Sequence, residues 1–263
     1  MWNEGGNEMD GQLVLIEDWQ TSAGVRVRVI TLNRPEKANA MNVEMMKGVA
    51  AAVAGSRADV NVLRSASERV FCAGADIAQF VSGEAALAEQ EHALLEMLGE
   101  LAASTVPLVA VAQGKAAGAG AMLLAMADVV LAAEDVEVAC PEMRFGMYPV
   151  IVEAVLQSRI SAALASRMCF GHSLSAQEAC GVGLVTEVLA LSEFASLSSE
   201  RLDFYLLRSK GLAVARKSRL LSQPANVLLR RLDEVAPLMS ENYGAAGVRE
   251  RIASYLAGMG RRS

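Results

Sequence analysis

The stretch "TVPLVAVAQGKAAGAGAMLLAMADVVLAA", residues 105–133, constrains the fold more than any other part of the chain. It is apolar almost throughout, so it must be buried, either in protein or in lipid. Lys115 and Asp128 interrupt it, its β-branched residues gather at the two ends, and its small residues cluster in the middle. That distribution predicts a strand over 107–114, a helix over 116–127 and another strand over 128–133, rather than one helix crossing a membrane.

The same alternation runs upstream. "VRVRVITL" (25–32) reads as a strand with one charged face, "NVEMMKGVAAAVAG" (42–55) as a helix and "VNVLRS" (60–65) as a strand. Strands alternating with helices imply an α/β layer fold. After residue 150 the strand signal fades except at 183–189, and helical patterns take over in 192–219, 222–234 and 237–258. The expected organisation is a flexible leader over 1–12, an α/β core over 13–191 and a C-terminal helical subdomain over 192–263. The leader is polar and acidic, unlike a signal peptide.

Composition narrows the function classes. The 263 residues are 53% hydrophobic, enough for a substantial core, and the net charge is −6. There is no basic block, which argues against a nucleic-acid surface. Four cysteines without a C-x-x-C pair and only two histidines, His92 and His172, offer no ligand set for a metal, so no metal is expected. Reduced thiols and a cytoplasmic location are the plain reading.

Two glycine-containing loops, "FCAGADI" (71–77) and "GKAAGAGA" (114–121), follow strands and present backbone N–H groups. Neither spells a nucleotide-binding motif. Tight packing of a helix on a sheet explains small residues equally well. In "CPEMRFGMYPVIVEA" (140–154), Glu142 follows a proline among apolar neighbours, where it can serve as a capping acid or as a proton carrier.

Together with "ITLNRPEKANAMN" (30–42) and "GHSLSAQEACGVGLVTEV" (171–188), these segments resemble the crotonase, or enoyl-CoA hydratase/isomerase, superfamily, in the family's order over most of residues 13–190. The resemblance implies a crotonase fold, in which repeated ββα units form a spiral core that carries a C-terminal helical subdomain. It implies that the N–H groups of Ala75 and Ala119 bind a thioester carbonyl oxygen and stabilise an enolate, with Glu142 moving the proton. Arg34, Lys37, Ala38, Ala40, Ala73, Asp76 and Ile77 match the family's coenzyme A edge, although Arg34 and Lys37 read equally well as ordinary loop charges. Coenzyme A enters as part of the substrate, and no separate cofactor is expected. Either an acyl-CoA or an acyl-carrier thioester fits.

The family often uses a second glutamate, and here its position is Met122, which cannot transfer a proton. An isomerase-type reaction with one acid is therefore expected. A hydratase or lyase recruiting Glu153 as second acid is the alternative, and a catalytically silent acyl-CoA-binding homologue is a third reading. His92 is expected at a surface or packing position and His172 in a solvated turn. No nucleic-acid or membrane partner is expected, and the family's habit implies a homotrimer or homohexamer.

Overall fold

The structure, a computed structural model, describes residues 11–245 and 247–259, so most of the expected leader lies outside the described residues. The chain begins with β1 (Val14–Gln20), β2 (Arg26–Leu32), α1 (Val43–Ala54), β3 (Val60–Ser65), β4 (Val70–Cys72) and α2 (Glu84–Ala103). It continues through β5 (Leu108–Ala112), β6 (Lys115–Ala117), α3 (Ala119–Met126), β7 (Val129–Ala133), β8 (Glu137–Ala139) and α4 (Val150–Leu156). Then come α5 (Ala162–Cys169), β9 (Leu174–Ser175), α6 (Ala176–Gly181) and β10 (Glu187–Leu189). The helices α7 (Phe194–Leu206), α8 (Ser209–Ser222), α9 (Ala225–Gly244) and α10 (Val248–Met259) follow.

The strands form a six-stranded sheet in the order β1-β2-β3-β5-β7-β10 and a four-stranded sheet in the order β4-β6-β8-β9. Pairing is parallel from β2 through β10 in the first sheet, and β4, β6 and β8 are parallel in the second. Each of β3, β5 and β7 is followed by one strand of the small sheet and then by a helix, giving three successive ββα turns of a spiral. A parallel sheet requires such crossovers, and burial on both faces explains the uninterrupted apolar runs of β5 and β7. On β2, Val27 and Val29 point inward while Arg28 pairs with Asp18 on β1 at 2.7 Å, so the alternating charges mark the solvated face near the sheet edge.

Two expectations change. The helix expected over 116–127 begins at Ala119, and residues 115–117 are β6. An Ala-rich triplet carries no strand propensity of its own; pairing with β4 and β8 on either side makes it a strand. The break expected near 234–237 is also absent, because α9 runs through Pro237 and ends at Gly244. Leu232, Ala236 and Met239 bury one face of α9, and that packing carries the helix past the missing N–H.

The C-terminal helices are bolted to the core by charge as well as by packing. Arg216 is 4% exposed and donates to the carbonyl oxygens of Leu101 at 2.6 Å and Ser104 at 2.9 Å, at the end of α2. A cation there meets the negative end of the helix dipole. Asp128 ion-pairs with Arg219 at 2.7 Å and with Arg216 at 3.6 Å, while accepting from the N–H of Leu108 at 2.8 Å. Among the described residues, no helix is long and apolar enough to cross a membrane.

Candidate active site

Because β4, β6 and β8 are parallel neighbours, their C-terminal ends lie side by side. Ala75 follows β4, Ala119 follows β6 and Glu142 follows β8. Residues far apart in sequence thus meet at one edge of the small sheet, the edge where parallel α/β architectures place their ligands.

Glycines let the three segments close up. Gly74 has φ +108°, and a Cβ there would sit 3.2 Å from the Ala117 carbonyl oxygen and 3.8 Å from the Gly118 Cα. Gly118 has φ +49°, and a Cβ there would sit 2.5 Å from Glu142 Oε1. Both need the left-handed backbone freedom of glycine. Gly74 O accepts from the N–H of Met41 at 2.8 Å, and the N–H of Asp76 donates to Met41 O at 2.9 Å. Those bonds flank the Ala75 N–H without using it. Ala119 is the first residue of α3, so its N–H has no partner within the helix and faces outward with the positive end of the dipole.

Glu142 stands in a single 3-10 turn, Pro141–Phe145, started by Pro141 and closed by Gly146 at φ +75°. The residue keeps some surface exposure, yet its Oε2 is sealed from solvent and has no hydrogen-bond partner in the protein. That burial pushes its pKa up to about 7. Such a carboxyl exchanges protons near neutrality, as a general acid or base must.

A cavity of about 40 Å³ joins these groups: Ala75, Ala119 and Glu142 line it with Met122, Met147 and Tyr243 among others. Met122 is 2% exposed, three residues into α3 from Ala119, so the wall facing Glu142 there is a thioether. Glu153 does not line the cavity, although its neighbours Val150, Ile151 and Val152 do; its carboxylate lies beside the Tyr148 hydroxyl. His92 is exposed and His172 half-buried, and neither lines the cavity. A larger hollow of about 280 Å³ lies against α8 and α9, but Asp128 and backbone carbonyls occupy its Arg216 and Arg219.

The 34–40 segment braces the first donor loop. Arg34 Nη1 donates to Asp76 Oδ2 at 2.7 Å and to Ala40 O at 2.8 Å, so its charge and that of Asp76 engage each other. Ala38 O accepts from the N–H of Ala73 at 3.0 Å. Lys37 is exposed, and Ile77 packs partly buried near Phe80.

Sequence reasoning missed two residues here. Asn39 is fully buried at φ +52°, accepts from the N–H of Arg34 at 2.8 Å and donates to Ser65 Oγ at 2.7 Å and Phe71 O at 3.1 Å. An Asn between two alanines in a Pro-led turn is a fair signal for such a left-handed pin. Tyr243, on α9, reaches the same cavity from the C-terminal helices, and no local pattern announces it.

Ala75, Ala119 and the sealed carboxyl of Glu142 thus line one cavity. The chain belongs to the enoyl-CoA hydratase/isomerase family, whose model matches residues 22–256. It is 33% identical over 219 residues to a 2,3-dehydroadipyl-CoA hydratase of Escherichia coli (strain K12), covering 80% of this chain and 81% of that one. It is 30% identical over 184 residues to enoyl-CoA delta isomerase 2 of Rattus norvegicus, covering 67% of this chain and 47% of that one. Among solved structures, an enoyl-CoA hydratase from Bacillus halodurans superposes with a TM-score of 0.79 at 18% identity, covering 91% of this chain and 99% of that one. That likeness shows the crotonase fold.

Proposed function

We propose that this protein acts on acyl thioesters of coenzyme A or of an acyl carrier, moving a carbon–carbon double bond with Glu142 as its single proton carrier. The observation that carries this reading is the unpartnered, solvent-sealed Oε2 of Glu142 in one cavity with Ala75 and Ala119, opposite a Met122 that cannot ionise. The Glu142 carboxylate removes a proton from the α carbon of a 3-enoyl thioester. The C–H electron pair moves into a dienolate whose negative oxygen accepts from the N–H groups of Ala75 and Ala119. Glu142 then returns the proton to the γ carbon, leaving the 2-enoyl thioester. Atoms and charge balance with no cofactor besides the coenzyme A of the substrate. One backbone donor to a developing oxyanion is typically worth roughly 3 kcal/mol of barrier.

Hydration is the second reading, favoured by the name of the Escherichia coli relative. It needs a further group to hold water, and Glu153 would have to turn inward from beside Tyr148 to supply one. Incubation with 2-enoyl and 3-enoyl thioesters in heavy water separates the readings. Isomerisation with deuterium at the γ carbon of the 2-enoyl product, or at the α carbon in the reverse direction, but no hydration supports the one-acid route, fast hydration supports the second, and neither product nor exchange overturns both in favour of a silent thioester-binding homologue.

The reading extends to a cytoplasmic enzyme with a C-terminal helical subdomain that assembles as a homotrimer or homohexamer. Its support is the exposed apolar residues at this end of the chain, Val214 at 68% and Leu221 at 84% seven residues apart on α8, with Leu207 at 68% just before that helix. A monomer in sedimentation at micromolar concentration would overturn the assembly.

A further inference from the structure

Among the described residues, only two residues other than glycine have positive φ, Ala38 at +51° and Asn39 at +52°, and they are adjacent. Backbone of this kind is costly for a residue with a Cβ and persists where the surroundings impose it, most often beside a functional site. The bend carries the Asn39 side chain into the interior, where it is 0% exposed. It also leaves the Ala38 carbonyl oxygen accepting from the N–H of Ala73 at 3.0 Å.

The Asn39 amide ties three segments together. Its oxygen accepts from the Arg34 N–H at 2.8 Å, and its nitrogen donates to Ser65 Oγ at the end of β3, at 2.7 Å, and to Phe71 O within β4, at 3.1 Å. Ser65 Oγ in turn donates to Val70 O at 2.7 Å. β4 ends at Cys72, and the donor loop follows at once. Met41 bridges Ala75 as in a parallel strand pair, its N–H donating to Gly74 O at 2.8 Å and its carbonyl accepting from the Asp76 N–H at 2.9 Å. Backbone groups alternate in direction along such a pair, so the Ala75 N–H is turned to the opposite edge. Arg34 closes the far end, donating to Asp76 Oδ2 at 2.7 Å and to Ala40 O at 2.8 Å. Ala75 is thus held in a clasp that has Asn39 at its centre.

Asn39, Ser65 and Phe71 do not line the Glu142 cavity, whereas Ala75 does. We propose, building on the acyl-thioester reading, that Asn39 is a positioning residue: through Phe71 and the bonds from Ala38 and Met41 it fixes where the Ala75 N–H stands, and so how strongly that donor polarises the thioester carbonyl. A hydrogen bond weakens steeply with distance and angle, and an oxyanion donor counts only where charge develops. A main-chain donor has no rotamer of its own, so whatever holds its loop decides its aim.

The test is infrared difference spectroscopy of butyryl-CoA, isotope-labelled at its carbonyl carbon, bound to the intact protein. Affinity by calorimetry and α-proton exchange in heavy water are read beside it. A polarised carbonyl stretches at lower frequency, and binding to wild type is expected to move the stretch down. Asn39→Gly keeps the left-handed backbone and removes only the amide. It is expected to lose at least about half of that shift and to slow exchange by about tenfold or more, with affinity within about threefold. Ser65→Ala, which removes one partner of the amide, should act in the same direction to a smaller extent, and it carries the test where Asn39→Gly does not fold. Leu206→Ala, a cut in the separate apolar cluster behind the large sheet, should lower the melting temperature with the stretch unmoved. An unmoved stretch in Asn39→Gly and Ser65→Ala, a loss of affinity in place of the shift, or the same spectral loss in Leu206→Ala would each overturn the inference and leave the thioester reading standing. Wild type that binds butyryl-CoA with no downward shift overturns the donor role of Ala75 and this inference with it, whereas no binding at all overturns the thioester reading as well.

Discussion

The two donor loops and the Tyr243 helix line one cavity, but they are held by different kinds of force. The loops after β4 and β6 are set by backbone ladders and by glycines in van der Waals contact, so a single added carbon meets main-chain or carboxylate atoms. The α9 wall is set by side chains, Leu232, Ala236 and Met239 against the core and Tyr243 against Phe80. Backbone positions have few alternatives, whereas methionine-rich walls repack. On the proposed function, the chemistry would belong to the rigid side of the cavity and substrate choice to the adaptable side.

The strongest way to break this division is at the carboxylate. Glu142→Gln keeps the shape but cannot accept a proton, and turnover is expected to fall by about 10²–10⁴-fold while thioester affinity stays within about tenfold. Steady-state rates with calorimetry on the same sample check it, and retention of most activity would remove Glu142 from the mechanism. Next comes Gly118→Ala, whose Cβ would sit 2.5 Å from Glu142 Oε1 on a backbone at φ +49°. The strain is expected to lower stability by about 1–3 kcal/mol and activity by at least about tenfold. Near-normal kinetics would show the loop to be softer than its packing implies.

The pH dependence sharpens the comparison because it belongs to the rigid side alone. With its pKa raised from 4.5 to about 7, Glu142 is protonated in the folded protein where the unfolded chain has already released its proton. Its contribution to stability is complete below about pH 4.5 and is lost as pH rises through about 7, by at most about 3 kcal/mol. Activity through an ionised base should move the opposite way, rising to a plateau above about pH 7. Denaturant midpoints between pH 4 and 8 should lose this slope in Glu142→Gln; an identical slope in that variant would place the titration elsewhere.

Met122→Glu asks whether the wall can be recruited to the chemistry. A second carboxylate there would face Glu142, and like charges would push one proton affinity up. Burial is expected to cost about 1–3 kcal/mol, with a small gain of 2-enoyl hydration limited by Val150 and Ile151. Fast hydration already in wild type, changed by Glu153→Gln, would make Glu153 the second acid. The smallest effect is expected at Met239→Leu on the adaptable wall, within about 1.5 kcal/mol in stability and with a shift in acyl-length preference larger than any change in proton exchange. An equal drop in both would show the two sides to be coupled.

Much of the fold was legible because its signals are local. Apolar runs gave β3, β5 and β7 nearly to the residue, and the loop glycines and the Pro141-Glu142 pair pointed to the strand ends that meet. What the sequence could not supply are features made by partners distant in the chain. Residues 115–117 become a strand only between β4 and β8, and α9 survives Pro237 only because its buried face packs on the core. The sequence alone determined which groups could carry chemistry, since backbone donors, a carboxylate and a thioether are fixed by residue identity. Only the tertiary structure decided that Glu142 is sealed and unpartnered, that Arg34 and Asp76 engage each other, and that Tyr243 reaches the cavity beside Glu142. Desolvation and hydrogen-bond pairing depend on everything packed around a group, and no single stretch of chain contains that information.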